Sequence, residues 1–384
     1  MMTPSQVEKT YELITSYREL KSVADVLQQQ EVIGVDMEAD SMFRFKERVC
    51  LLQVSAGDVV FLIDPMKLET LEPLNPIFSD PAIRKVMHGA DYDIRSLYRD
   101  FGIEVSNLFD TELACRFLGA KETGLEATLM EWFHIRLEKK YQKKDWSQRP
   151  LPEAMLDYAT RDVMYLPQLS EKIRCALEKC GRLEWVQEEC DLLSKVRPAS
   201  SDGLPLFSRV PGAGRLHFRS LGVLEALLQY RLKVAEKKDR PVFKVMSNRI
   251  LVEMAKFQPG NFDQLAALNL LSTKQLHMHA AALLEIIQQA QKIPPDQLPR
   301  YPRPQNRLPK TAAPQRLLLL RQWRDNRAKR LGLDPAMLLN KNMLMTIAVK
   351  KPLEMEEFEK IEGLRKWQVR EFGEEVRRVL RGEK

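Results

Sequence analysis

Cysteine and histidine, which build many of the commonest protein metal sites, are both scarce here, with five of each in 384 residues. Cys50, Cys115, Cys175, Cys180 and Cys190 form no C-x-x-C pair and leave an odd one over. That argues against a zinc ribbon or a disulfide frame and predicts reduced thiols in a cytoplasmic protein. The histidines are scattered without ligand spacing. Long apolar runs are missing too: none approaches the ~18 residues of a membrane span. The opening MMTPSQVEKTYELI lacks a basic patch followed by an apolar stretch, so no secretory signal is expected.

What is present is the composition of a soluble globular chain, too long for one ordinary core, so two or three domains are expected. Its charge is divided unevenly. Residues 1–200 carry a net of −8 and residues 201–384 a net of +15, within an overall +7. An acidic part joined to a basic part suggests chemistry in the first and a grip on a polyanion in the second. Basic helical surfaces are common on other proteins as well, so charge by itself does not decide the matter.

The stretch EVIGVDMEADS (31–41) carries the first chemical signal. Val32, Ile33, Gly34 and Val35 read as a buried strand, and Asp36 and Glu38 arrive at its end. Side chains two apart on a strand share a face, so both acids project from one sheet edge. Held together they repel and raise each other's pKa unless something positive lies between them. A divalent cation with oxygen ligands, Mg²⁺ or Mn²⁺, is the economical candidate. A strand running out into a polar loop would look the same. The pair gains meaning only if other acids reach the same place.

Further along, Arg48–Ser55 and Val59–Asp64 flank the turn Ala56-Gly57-Asp58 and predict an antiparallel hairpin. Leu68, Leu71 and Leu74 recur at helical spacing. A short strand at Arg84–Met87 leads into a helix DYDIRSLYRDFG that stops at Gly102. The next strand, Asn107–Asp110, ends on an aspartate placed to cap the helix TELACRFLG. The order is β-β-β-α-β-α-β-α, which predicts an α/β domain with a mixed sheet. In LEKKYQKKDWSQRPL (137–151), Lys139, Lys140, Lys143 and Lys144 surround Tyr141, with Trp146 behind. Cations along a backbone and rings under bases are what single-strand binding requires, though a solvated helix end has the same look. Pro152 opens the helix PEAMLDYATRDVMYLPQL, which sets Tyr158 and Asp162 four apart on one face.

Residues 195–214 and 294–314 are rich in proline, glycine or serine and read as connections. The helical pieces around the second connection repeat one another. At an offset of 93, Tyr230-Arg231 falls on Trp323-Arg324, Leu251 on Leu344, Pro259 on Pro352 and Gln275 on Gln368. That is an internal duplication of a small helical domain. Both copies are basic, +6 and +9, with no evident catalytic group, so each is expected to bind something; Arg231 and Arg324 are candidate nucleic-acid contacts. The expected domains are 1–194 (α/β), 215–293 and 314–384 (helical), with linkers at 195–214 and 294–313.

Asp36, Glu38, one of Asp91 and Asp93, and Asp162 with Tyr158 would together suit two-metal phosphodiester hydrolysis, in which cations ~3.5–4 Å apart clamp the attacking and leaving oxygens. Tyr158, with a pKa near ~10, is a poor base but can orient a water.

VDMEADS, HGADYDI and YATRD resemble the three motifs of the DEDD 3′–5′ exonucleases, and Y-x-x-x-D marks the tyrosine branch. DWSQRPLPEAMLDYATRDVMYL is similar to the ribonuclease D family, and HGADYDIRSLYRDFGIEVSNLFDT resembles the related exosome-associated exonuclease. The duplicated unit resembles the HRDC domain. The resemblance implies a ribonuclease-H-like fold followed by two all-α HRDC domains. It implies that Asp36, Glu38, Asp93 and Asp162 hold two Mg²⁺ or Mn²⁺ ions while Tyr158 positions the water. It prefers Asp93 to Asp91, and it leaves His88 structural and Asp40 and Asp157 on the surface. The implied activity is a 3′–5′ exoribonuclease that releases nucleoside 5′-monophosphates from RNA with a single-stranded 3′ end, tRNA precursors included. Alternatives are a 3′–5′ exodeoxyribonuclease of the Werner type, or a catalytically silent scaffold that binds nucleic acid. Lys143, Lys144 and Trp146 would serve as nucleic-acid contacts near the site.

Overall fold

A computed structural model describes residues 11–138, 140–198, 203–301 and 313–383. They fall into two compact units. One combines the stretches up to Ala39, Val49–Pro198 and the C-terminal helices; the other combines Asp40–Arg48 with the helices up to residue 301.

The α/β part of the first unit runs β1 (Tyr11–Ile14), α1 (Tyr17–Leu27), β2 (Val32–Ala39), β3 (Val49–Ala56), β4 (Val59–Ile63), α2 (Asn75–Ser79), β5 (Arg84–Met87), α3 (Asp91–Phe101), β6 (Leu108–Asp110), α4 (Thr111–Leu118), α5 (Leu125–Phe133), α6 (Glu153–Met164), α7 (Leu166–Lys179) and α8 (Leu183–Leu193). The six strands lie in the order β1-β4-β3-β2-β5-β6. β3 runs antiparallel to β2 and β4, while the other neighbouring pairs are parallel, so the sheet is mixed as expected. All eight residues of β3 are buried, as a central strand covered on both faces requires. Gly34 sits where α6 ends against β2: a Cβ there would lie 2.4 Å from Ser55 Oγ and 2.9 Å from the Val163 carbonyl. The missing side chain lets the helix come that close.

Several expectations need correcting. β1 and α1 were not foreseen, although Ser16 and Glu19 form a capping box whose S-x-x-E pattern is legible in the sequence. Of the leucines at helical spacing, Leu71 and Leu74 belong to a tight 3₁₀ turn and its approach. The single helix expected from Pro152 to Leu169 breaks at Tyr165, because Pro167 sits in the first turn of a new one. Gly102 (φ +67°) ends α3, and Asp110 caps α4 by accepting from Glu112 N and Leu113 N, both as expected.

The first helical copy comprises α9 (Phe218–Lys237), α10 (Val242–Val245), α11 (Asn248–Phe257), α12 (Phe262–Ala267) and α13 (Thr273–Gln291). The second comprises α14 (Ala313–Leu331), α15 (Pro335–Leu338), α16 (Lys341–Lys350), α17 (Met355–Glu359) and α18 (Lys366–Arg381). The starts of α11 and α16, and of α13 and α18, keep the offset of 93. The stretch read as a linker before the first copy is partly core: Phe207, Val210 and Ala213 pack with Leu224 and Leu227. Residues 199–202 and 302–312 of the two expected linkers lie outside the described residues.

The second copy is not a separate body. Trp367 at the start of α18 stacks on Trp185 of α8 at 4.7 Å, with Phe117 edge-on at 5.6 Å. The Glu188 carboxylate accepts from the backbone N–H groups of Lys366 (2.7 Å) and Trp367 (2.9 Å), and so closes the N-terminus of α18 from another helix. Glu189 accepts from Arg365 Nε and Trp367 Nε1, both at 3.0 Å. One apolar core runs through the α/β part and this copy. Among the described residues no helix is long and apolar enough to cross a membrane.

Candidate active site

β2 delivers Asp36 and Glu38 to the same face, opposite Gln53 and Leu51 of β3, and a register shift follows Glu38. From the other side of β2, β5 leads through His88, Gly89 and Ala90 into α3, whose first turn carries Asp93. That turn is held by Asp110, which accepts from Gly89 N (3.0 Å) and Ala90 N (2.8 Å) as well as from the two amides of α4 it caps. α6 supplies Tyr158 and Asp162, and Ser55 Oγ ties the next residue of that helix to the sheet by donating to Val163 O at 2.9 Å.

These groups feel one another. Burial first, then Asp36, Asp162 and Asp93, push the Glu38 carboxyl well above its ordinary range. Burial and then Asp36 and Asp110 do the same to Asp93. Asp162 is raised to about 8 by burial and by Asp36, against a hydrogen bond from Tyr158. Asp36 is raised to about 6 by burial, against the Met37 amide. Burial, then Asp162, Glu38 and Asp36, drive the Tyr158 hydroxyl upward, so it stays protonated. Among the described residues no basic group acts on any of the four carboxylates. Four such acids ionise together only if a cation joins them.

The donor set fits a hard divalent cation, being carboxylate oxygen throughout with no thiolate or imidazole among the four. Asp36, Glu38, Tyr158 and Asp162 line a cleft of about 410 Å³, while Asp93 is buried and interacts with Asp36 and Glu38 without lining it. Among the described residues no three acidic, His or Cys side chains close on one point as a finished cage. The acids share an electrostatic field rather than a finished coordination sphere.

Asp91 is turned away and paired with Arg95 at 2.8 Å, which leaves Asp93 as the inward member of that pair. His88 lines the cleft, with Nδ1 2.9 Å from Thr111 Oγ1. Asp157 is exposed as expected, but Asp40 is not: it is fully buried and accepts from Arg48 N at 2.8 Å. Glu112, Glu126 and Glu138 also line the cleft; nothing in their spacing separates them from other surface acids. Asp110 was legible as a cap but not as the tie that holds the Asp93 helix.

Trp146 is 0% exposed, with its ring 6.2 Å from Tyr158, while Tyr141 lies 5.9 Å from the same ring. It cannot stack on a base and instead helps wall in the tyrosine. Arg149 anchors this loop through a two-pronged pair with Asp64, both contacts 2.7 Å, and through the carbonyls of Trp146 and Cys50. Lys143 and Lys144 are exposed beside Gln142, which lines the cleft; Lys139 lies outside the described residues. Arg231 is buried, donating to Met246 O at 2.9 Å and Asn248 Oδ1 at 2.8 Å. Arg324 donates to Leu339 O at 3.1 Å, the matching carbonyl 93 residues on, and pairs with Asp325. Both arginines hold their own module together; neither is placed as a phosphate contact.

Residues 11–178 match the family described as 3′–5′ exonuclease, and residues 220–287 and 313–380 each match the HRDC domain. The chain is 29% identical to ribonuclease D of Escherichia coli K12 over 291 residues, 76% of this chain and 77% of that protein. It is 30% identical to protein RRP6-like 2 of Arabidopsis thaliana over 301 residues, 75% of this chain but 35% of that longer protein. The crystal structure of Escherichia coli RNase D superposes with a TM-score of 0.74 at 24% identity, over 97% of this chain and 99% of that one, a likeness of fold. Divalent-metal dependence is general among these exonucleases. With a 3′–5′ exonuclease domain followed by two HRDC repeats at the spacing of its duplicated helices, the chain is similar to ribonuclease D over most of its length and is a 3′–5′ exoribonuclease.

Proposed function

We propose that the chain removes nucleotides one at a time from single-stranded 3′ ends of RNA, releases nucleoside 5′-monophosphates, and acts on tRNA precursors. The observation that carries this reading is the gathering of Asp36, Glu38, Asp93 and Asp162 in one buried field with no basic partner among the described residues. Two Mg²⁺ or Mn²⁺ ions held by these carboxylates would supply charge neutralisation and a more acidic water for in-line hydrolysis. Asp36 and Glu38 offer oxygens from the sheet, Asp162 from α6 and Asp93 from α3. Tyr158, too weak an acid to ionise, keeps its hydroxyl as a hydrogen-bonding group that orients the attacking water. Trp146 and Tyr141 keep that ring from swinging.

Lys143 and Lys144, next to the cleft wall, suit phosphates of the incoming strand. The basic first HRDC module exposes Phe257 and Phe262, with Lys256 Nζ 5.3 Å from the Phe257 ring, which suits a grip on the RNA body. All five cysteines are free, three of them buried, which supports a cytoplasmic location.

The test is degradation of an end-labelled single-stranded RNA with Mn²⁺ and with chelator. Asp36→Asn and Asp162→Asn should each lose more than the ~10–100-fold that removing an outer-shell partner costs, while filter binding of the RNA stays near wild type. Wild-type turnover in either variant refutes the assignment. Faster loss of a matched DNA strand would redirect it to an exodeoxyribonuclease.

A further inference from the structure

Three successive rungs of the β2–β3 ladder face α6, and they treat their polar groups differently. Residues directly opposite each other on antiparallel strands project from the same face with Cβ atoms about 4.5–5.5 Å apart. On the first rung Gly34 faces Ser55, whose hydroxyl is used in the bond to Val163 O. On the third, Glu38 faces Leu51, which has nothing to offer a carboxylate. On the middle rung Asp36 faces Gln53. Gln53 is 0% exposed, and among the described residues neither its Nε2 nor its Oε1 has a hydrogen-bond partner.

An unpartnered primary amide is a costly thing to bury, and the rest of β3 apart from Ser55 is apolar. Leucine would fill the volume without that cost. The group directly across the rung is the Asp36 carboxylate, which has the Met37 amide beside it but, among the described residues, no basic side chain. A glutamine side chain reaches across one rung easily.

We propose that Gln53 is a positioning residue for Asp36: its side-chain amide donates to one carboxylate oxygen when Asp36 holds a divalent cation, and so fixes the direction of the remaining lone pairs. This rests on the reading of Asp36 as a metal ligand. Metal ligands are commonly oriented by such outer partners, whose loss weakens metal affinity or activity by ~10–100-fold.

The experiment is a Mn²⁺ titration of the full chain without RNA, following free Mn²⁺ by electron paramagnetic resonance, alongside steady-state kinetics and thermal melts. Gln53→Leu should melt no lower than wild type, bind Mn²⁺ at least tenfold more weakly, and lose kcat with little change in KM for RNA. Gln53→Asn, which keeps a shorter amide, should recover part of the affinity. Gln53→Met replaces the leucine variant if that one fails to fold. Val54→Ala perturbs the same strand on its opposite face and should leave Mn²⁺ affinity near wild type. Wild-type affinity and turnover in Gln53→Leu would overturn the proposal, and so would an equal loss in Val54→Ala, which would mark a loosened strand. Asp36→Asn separates the two levels: if it binds Mn²⁺ like wild type, the reading of Asp36 fails, whatever Gln53 does.

Discussion

The two HRDC modules have one fold and different surroundings. In both, an arginine of the first helix donates to the carbonyl two residues before the third helix: Arg231 to Met246 O, Arg324 to Leu339 O. In both, the third helix ends on a residue in the left-handed region, Gln258 or Lys351, followed by a proline. The last helix is where they part. In the first module Ser272 and Gln275 cap its N-terminus locally, and the exposed Lys274 occupies the third position of that start. In the second the matching residues are Arg365, Gln368 and Trp367: Gln368 still accepts from Arg365 N, but Glu188 takes the Lys366 and Trp367 amides and Glu189 takes Arg365 Nε and Trp367 Nε1. Shared apolar positions specify the fold, while a few residues at one helix end decide what that end docks against. A duplicated domain can therefore be recruited into a neighbour's core without changing its own.

The largest effect should come from removing the dock itself. Trp367→Ala leaves a cavity beside Trp185, Phe117 and Phe372 and should cost ~3–5 kcal/mol in denaturant unfolding. Lys274→Ala, the same position in the first module, should stay within ~0.5 kcal/mol. Equal costs would erase the distinction.

A smaller effect separates a borrowed cap from a local one. Glu188→Ala should destabilise by ~1–2 kcal/mol, since it removes a carboxylate from two helix N–H groups, and Ser272→Ala by ~1 kcal/mol. High salt should shrink the first difference but not the second, because only the first involves a charge.

The smallest is a difference in pH response. Tyr230 and His279 share a hydrogen bond of 2.8 Å, where the second module pairs Trp323 with Phe372 at 5.8 Å. Burial, then Lys238, hold the His279 ring below its usual range. A histidine depressed in the folded state contributes stability above its unfolded value, near ~6.5, and that contribution is lost as pH falls through its folded value. Acidification from pH ~7.5 to ~5 should therefore lower the melting temperature of wild type relative to His279→Phe, while the raised active-site carboxyls push both proteins the other way. An unchanged slope would assign the pH response to other groups.

The same division separates what was legible beforehand from what was not. The offset of 93 was readable because both modules keep helix-periodic apolar residues and the proline between helices. Asp36, Glu38, Asp162 and Tyr158 were readable because strand alternation and i, i+4 spacing aim them without reference to distant contacts, whereas only the resemblance to the exonuclease motifs preferred Asp93 to Asp91. Trp146 was misread for a simple reason: a tryptophan among lysines looks the same whether its ring faces solvent or Tyr158. Arg231 and Arg324 misled similarly, since an arginine on a basic helix carries no mark of the carbonyl it satisfies. Asp40 read as surface because Arg48, which accounts for its burial, lies across a loop.

Local sequence determined the strand carrying Asp36 and Glu38, the caps at Ser16 and Asp110, the duplication, and the residue types able to hold a divalent cation. These follow from short-range periodicity and hydrogen bonding. Only the tertiary structure decided that Gln53 lies across from Asp36, that Asp110 ties α3 to α4, and that the second module shares a core with the catalytic domain. Each of those depends on groups brought together from far apart in the chain, and burial and partner choice are properties of the pair rather than of either residue alone.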